Sequence, residues 1–254
     1  DIFPAISVPN IFMERMLARE NFTLFDPHEI LAVKGYALED YFDTEDEKEF
    51  TKRYIECEQD ANLHGIQVPA LDMMKKIMRS AVETGTPFIF FRDTVNAANP
   101  NKHAGMIYAS NLCHEIAQNV GFTNLAEEII NEDGTITTKT NTGDMVTCNL
   151  NSISLGRISD EELEENIALQ IRMLDNVISI NQAPVPESRM TSDKYRAIGL
   201  GTSGYHHYLV NHDIQWESDE HIEVADKLFE NIAYYSIKAS MELAKEKGAY
   251  PAFK

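Results

Sequence analysis

Five consecutive residues, Asn111-Leu112-Cys113-His114-Glu115, bring together an amide, a thiol and a carboxylate. In an extended or loop segment, side chains at i and i+2 share a face. Asn111, Cys113 and Glu115 are therefore expected to reach into one pocket. The amide both donates and accepts hydrogen bonds. The sulfur serves as a nucleophile or a one-electron centre, and the carboxylate as a general acid or base. A cysteine alone is most simply a small core residue. A buried carboxylate and a buried amide each demand partners, so grouping both beside a thiol is more typical of an active site than of a core.

The remaining reactive residues are weaker candidates. Cys57 lies in Glu56-Cys57-Glu58-Gln59-Asp60, where neighbouring carboxylates blunt a thiol, and it reads as a passive helical cysteine. Cys148 lies in the strand-like run Val146-Thr147-Cys148-Asn149-Leu150, and its meaning depends on what faces it. Gly199-Leu200-Gly201-Thr202-Ser203-Gly204 matches G-x-G-x-x-G. A dinucleotide site needs a βαβ unit and an acidic residue ending the second strand. Lys194-Tyr195-Arg196-Ala197-Ile198 is a poor strand, and no second strand follows Trp216. A tight turn with close helix packing is expected instead. His206 and His207 would diverge by about 100° on a helix. No H-x-x-x-H or C-x-x-C pair occurs, so no metal site is expected.

These residues must be held by a scaffold, and 254 residues with 43% hydrophobic side chains suffice for a sizeable core. The formal net charge of −19 argues against nucleic-acid or anionic-membrane partners. No run is long enough to span a bilayer, and Asp1-Ile2-Phe3-Pro4 lacks the features of a signal peptide. Three cysteines fit a reducing, cytoplasmic setting. The chain begins with Asp and stops soon after a helix, as a fragment or one piece of a split protein would.

Asp26-Pro27 predicts a helix start, and residues 39–58 are charged and helix-prone. A helix is expected from Pro69 through Leu71, Met74, Ile77, Met78 and Ala81 to a cap at Gly85. Pro87-Phe88-Ile89-Phe90-Phe91 predicts a strand buried on both faces. Residues 96–105 read as a loop and 125–130 as a helix. Asp133-Gly134 marks a hairpin between Thr-rich strands, and a strand is expected over 146–150. Ser159 and Glu162 form a capping box before a helix with Leu163, Ile167, Ile171, Leu174 and Ile178 on one face, ended by Pro184 and Pro186. Ser218 opens a last long helix with Ile222, Ala225, Phe229, Ile232 and Ile237 as apolar positions, closed by Gly248 and Pro251. Helices alternating with short strands indicate an α/β domain.

Several segments, in order along nearly the whole chain, resemble the large catalytic subunit of class I ribonucleotide reductase. They are Pro9-Asn10-Ile11-Phe12-Met13-Glu14-Arg15, Thr84-Gly85-Thr86-Pro87, Ser110-Asn111-Leu112-Cys113-His114-Glu115-Ile116, Val146-Thr147-Cys148-Asn149-Leu150, Pro184-Val185-Pro186-Glu187, Arg196-Ala197-Ile198-Gly199-Leu200-Gly201 and Ala244-Lys245-Glu246-Lys247-Gly248-Ala249-Tyr250. The most specific element is Asn-Leu-Cys-x-Glu followed by a second cysteine 35 positions after the first.

The resemblance implies part of a ten-stranded, helix-rich α/β barrel with a central finger loop. It implies that Cys113 is the thiyl radical site that abstracts the 3′-hydrogen of the ribose. Glu115 would take the 3′-hydroxyl proton and Asn111 would hydrogen-bond the sugar hydroxyls. Cys148 would be one of two thiols that close to a disulfide each turnover. The Ile-Gly-x-Gly segment would be a barrel turn.

The same resemblance makes residues 1–254 the central portion of the barrel. The N-terminal cone, the first barrel part, the other redox cysteine and the C-terminal barrel part would lie outside it. Implied partners are the remaining segments of the large subunit, a small subunit whose dimetal centre generates the radical, a ribonucleoside diphosphate and a thioredoxin- or glutaredoxin-type reductant. ATP and dNTP effectors would bind mostly outside this segment. Two other readings stay open: a non-catalytic fragment that only associates with other reductase segments, and an independent thiol or nucleotide enzyme built on Cys113 and the Gly199 turn.

Overall fold

The computed structural model describes residues 3–253 and divides into two units, Asp1–Thr123 and Asn124–Lys254. Both alternate helix and strand, giving a helix-rich α/β architecture. No described helix is long and apolar enough to cross a membrane.

The first unit runs β1 (Ala5–Val8), α1 (Asn10–Ala18), β2 (Asn21–Leu24), α2 (Pro27–Lys34), α3 (Glu49–Glu58), β3 (Ile66–Pro69), α4 (Ala70–Thr84), β4 (Phe88–Phe91) and α5 (Arg92–Ala97). β1 pairs parallel with β4, Ala5 opposite Phe88, and β2 pairs antiparallel with β3. Helix boundaries follow the expected chemistry. Asp26 accepts from His28 N–H at 2.8 Å, with Pro27 at the first helical position. Gly85, at φ 76°, ends α4. Ala70, Met74 and Ile77 of α4 pack with Val8 and Phe12 in one core. Ile11, Ile30, Phe50, Tyr54 and Cys57 form another. Adjacent residues of α1, Ile11 and Phe12, thus serve separate cores.

Three local expectations change. The helix-prone stretch 39–58 is helical in earnest only from Glu49, because the buried Asp43 turns back to accept from Thr51 N–H at 3.0 Å and from its hydroxyl. That carboxylate satisfies an amide the start of α3 leaves open. β4 is covered in part on each face, not fully on both: Phe90 is buried, Ile89 on the opposite face packs against the core of Val8, Phe12 and Met74, and the terminal Phe91 is exposed. Helix α5 takes in Asn96 and Ala97, so the loop begins later than the Asn- and Ala-rich composition suggests.

The second unit runs β5 (Asn124–Ile130), β6 (Ile136–Asn141), β7 (Leu150–Ser154), α6 (Leu163–Ile180), α7 (Pro186–Tyr195), β8 (Gly199–Ser203), α8 (Tyr205–Asn211) and α9 (Asp219–Lys247). The Asp133-Gly134 hairpin forms between β5 and β6, with Gly134 at φ 82°. Residues 125–130, expected as a helix, are a strand. Their apolar positions fit either period, and the backbone partner supplied by β6 decides. The strand expected over 146–150 begins only at Leu150. Upstream, Met145 N–H donates to Thr191 Oγ1 at 2.8 Å and Asn149 Nδ2 donates to the Leu174 carbonyl at 2.9 Å, so this lead-in is tied to helices.

The glycine motif is a strand over Gly199–Ser203, with a turn only at its last glycine. β8 pairs parallel with β7, Leu150 opposite Gly199. A Cβ on Gly199 would meet the tip of the exposed Leu150 side chain at 2.3 Å, a flexible group free to move aside. The turn falls at Gly204, φ 68°, which opens α8.

The capping box at Ser159 and Glu162 is present, and Leu163, Ile167, Ile171, Leu174 and Ile178 are all buried. Pro186 opens α7 instead of merely ending α6. On α9 the expected apolar positions divide: Ile232 is buried, while Ile222, Phe229 and Ile237 are exposed. Leu228 and Ile232 are buried with Val224, Tyr235, Ala239 and Leu243 in the core that α6 shares. The helix carries two apolar stripes, and the one at the spacing 224, 228, 232, 235, 239, 243 meets α6.

Candidate functional site

Residues 106–120 carry the Asn-Leu-Cys-His-Glu sequence and contain neither helix nor strand. The segment is a tight turn, not an extended run. His114 N–H donates to the Asn111 carbonyl at 3.2 Å, and His114 takes the left-handed conformation at φ 63°. Side chains at 111, 113 and 115 are therefore not arranged by strand alternation.

Asn111 builds this turn. Its Oδ1 accepts from Ile116 N–H at 3.1 Å and from Ser110 Oγ at 3.2 Å, and the same hydroxyl reaches the Ile116 carbonyl. Ile116 is buried as the anchor beneath. The His114 ring lies against Phe88 and Phe90 of β4, at centroid distances of 5.2 and 6.1 Å, and its buried Nδ1 has no hydrogen-bond partner. With Asn111, His114 and Ile116 turned inward, Cys113 and Glu115 stand exposed at the tip. Sequence reasoning identified Asn111, Cys113 and Glu115 but passed over Ser110 and Ile116. The short polar residue preceding the asparagine is the one signal that could have marked them.

The entry limb of the loop is fixed by Tyr108, whose Oη donates to Asp40 Oδ1 at 2.8 Å. Burial and then the Asp40 carboxylate push this phenol up to about 12, so it stays a donor near neutral pH.

Cys148 lies in the second unit and is exposed. It sits between two tethered residues. Thr147 Oγ1 is 3.2 Å from Ser192 Oγ, and Asn149 Nδ2 donates to the Leu174 carbonyl.

Cys57 lies on α3, a helical cysteine as expected, and is buried. Burial pushes its thiol up, and its Sγ lies 3.8 Å from Tyr36 Oη. The adjacent histidines diverge: His206 sits near Trp216 at 6.0 Å between ring centroids, while His207 lies over Gly156. Iodoacetamide under native conditions should therefore add two adducts to this chain, at Cys113 and Cys148, and a third only in denaturant. Peptide mass spectrometry checks the assignment, and native labelling of Cys57 would contradict the packing.

The family model described as ribonucleotide reductase, barrel domain, matches residues 1–254. The chain is 48% identical over 263 residues to the ribonucleoside-diphosphate reductase subunit alpha of Treponema pallidum (strain Nichols), covering 100% of this chain and 30% of that protein. Its identity to the subunit alpha of Helicobacter pylori (strain J99) is 37% over 290 residues, covering 100% of this chain and 36% of the relative. With the subunit alpha of a Synechocystis species it is 36% over 256 residues, covering 100% and 30%. The chain thus spans about a third of the length of these relatives. Because the family match takes in every residue, including the turn of Cys113 and the lead-in of Cys148, the chain belongs to the ribonucleotide reductase barrel-domain family.

Proposed function

We propose that this chain is the central barrel portion of a ribonucleotide reductase large subunit and reduces ribonucleoside diphosphates by a thiyl-radical mechanism. The observation that carries this is the thiol of Cys113, exposed at the tip of a turn that Asn111 itself ties, with the Glu115 carboxylate two residues on. In the assembled ten-stranded barrel this turn is the finger loop.

In this reading Cys113 as a thiyl radical takes the 3′-hydrogen of the ribose. Glu115 accepts the 3′-hydroxyl proton, which eases departure of the 2′-hydroxyl as water. Asn111, whose Oδ1 also ties the turn, hydrogen-bonds a sugar hydroxyl. Cys148, with a second cysteine outside this chain, supplies two electrons and two protons and closes to a disulfide. A thioredoxin- or glutaredoxin-type protein reopens it. A dimetal centre in a small partner subunit would supply the radical, and ATP and dNTP effectors would bind mostly outside this segment.

The test uses the full-length subunit with its small subunit. Glu115→Gln keeps the side chain's shape and removes its proton-accepting capacity. It should lower kcat by on the order of 10²–10⁴ with KM little changed. Undiminished formation of deoxyribonucleotide by this variant would overturn the assignment of Glu115 as the base.

A further inference from the structure

We propose that Asn96, Asn99 and Asn119 are positioning residues, an amide clamp that fixes the entry limb of the Cys113 loop to helix α5 and the exit limb to the segment just after it. The inference rests on the reading above, that the Cys113 thiol performs the chemistry.

Asn96 is fully buried. Its Nδ2 donates to the Ile107 carbonyl at 2.9 Å and its Oδ1 accepts from Ile107 N–H at 2.8 Å. One side chain thereby satisfies both backbone groups of one residue, as a neighbouring strand would. Nδ2 also donates to the Arg92 carbonyl at 3.0 Å, back along α5. This secures the entry limb.

The exit limb is held three residues further along, just past the end of α5. Asn99 Nδ2 donates to Asn119 Oδ1 at 2.7 Å, and Asn99 Oδ1 accepts from Asn101 N–H at 2.9 Å. Asn119 Nδ2 donates to the Asn101 carbonyl at 2.8 Å. Val120 N–H donates to the Met106 carbonyl at 3.2 Å, bringing the two limbs side by side. Gly105 precedes them at φ 139°, a conformation other residues rarely adopt, and a Cβ there would lie 3.9 Å from Asn119 Nδ2.

The chemistry of the amide accounts for the residue type. Each clamp position must donate and accept at once, and of the short side chains only asparagine does both through two fixed atoms. Aspartate at 96 or 119 would aim a carboxylate oxygen at a backbone carbonyl. Leucine would leave buried N–H and C=O groups unmet. The clamp is needed because a loop without regular structure and with an exposed tip is otherwise mobile. Displacing a reacting atom by about 1 Å costs on the order of 10²-fold in rate.

The experiment compares Asn119→Leu and Asn96→Asp with the unsubstituted full-length subunit and with Cys113→Ser, each with the small subunit. Hydrogen exchange over residues 106–120, kcat, KM and the thermal transition are measured on all four. Both clamp variants should exchange at least about tenfold faster over 106–120 and lose on the order of 10–100-fold in kcat with KM held within about twofold. If Asn96→Asp does not fold, Asn119→Leu, at the less buried exit limb, decides alone. Unchanged exchange and kcat in a folded variant would overturn the clamp, as would a loss of kcat that only tracks the unfolded fraction. The Cys113→Ser arm separates the two claims. Retained turnover there removes the thiol's role, while the exchange rates still judge the clamp.

Discussion

Cys113→Ser in the full-length subunit is expected to bring deoxyribonucleotide formation down to the assay background, with folding and substrate binding unchanged. A thiol exchanges a hydrogen atom with a ribose carbon nearly reversibly because the two bonds have similar strengths. The hydroxyl O–H bond is much stronger, so a serine cannot be converted to its radical by the same donor. Every 1.36 kcal/mol added to a barrier costs about tenfold, and this mismatch is many times that. Structure should not intervene. Serine is close in size, Cys113 is exposed, and the turn is held by Asn111, Ser110 and Ile116 rather than by sulfur. The check is a turnover assay alongside a thermal melt. Residual activity above background in a folded Cys113→Ser protein would remove the thiyl mechanism.

Asp175→Ala should destabilise the second unit by about 2–3 kcal/mol. The Asp175 carboxylate accepts from Arg196 Nε at 2.7 Å and from Lys247 Nζ at 2.6 Å, and its carbonyl accepts from Arg196 Nη2 at 2.7 Å. One acidic residue thereby joins α6 to the residue that ends α7 and to the last turn of α9. Removal leaves a guanidinium with fewer partners. The loss is moderated because Lys247 is about a third exposed and can turn to water. Burial raises this carboxyl, but the bonds from Arg196 and Lys247 outweigh it and hold it below the ordinary 3.8. A depressed folded value contributes stability that is complete above the unfolded value and is lost as pH falls through the folded one. The wild type should therefore lose this increment only below about pH 4. The gap between wild type and Asp175→Ala should be flat from neutral pH to that point and close beneath it. Denaturant titrations across pH measure it, and a gap that persists unchanged in strong acid would show that packing, not charge, is involved.

Much of the helical skeleton was legible from short-range chemistry. Asp26-Pro27, Gly85, the Ser159–Glu162 box and Ser218 are signals that act within one turn of helix, and the structure uses each of them. The one-sided stripe of α6 was also readable, because a single apolar face leaves one way to bury it. The strands were harder to read. Residues 125–130 become a strand through pairing with β6, and Gly199–Ser203 through pairing with β7. Neither partner is encoded within the segment itself. Which apolar positions of α9 are buried was not legible for a related reason: two stripes compete, and α6 chooses between them. At the candidate site, residue types pointed to Asn111, Cys113 and Glu115. The turn that exposes the thiol depends on His114 adopting positive φ and on Asn111 bonding five residues ahead, features that spacing along a strand does not foresee.

The strand pairings also differ in how far apart in sequence their members lie, and this sets an order of events in folding. The β5–β6 hairpin closes across the short link around Asp133-Gly134, a search of microseconds. Ala5 pairs with Phe88 across the whole of α1 through α4, and Leu150 with Gly199 across α6 and α7. Such distant pairings carry a larger loop-closure entropy and come late. His114 rests on Phe88 and Phe90, both on the late-pairing β4. The thiol-bearing turn is therefore expected to reach its final form among the last parts of its unit, so that on a nascent chain the reactive group is set only once the surrounding fold exists.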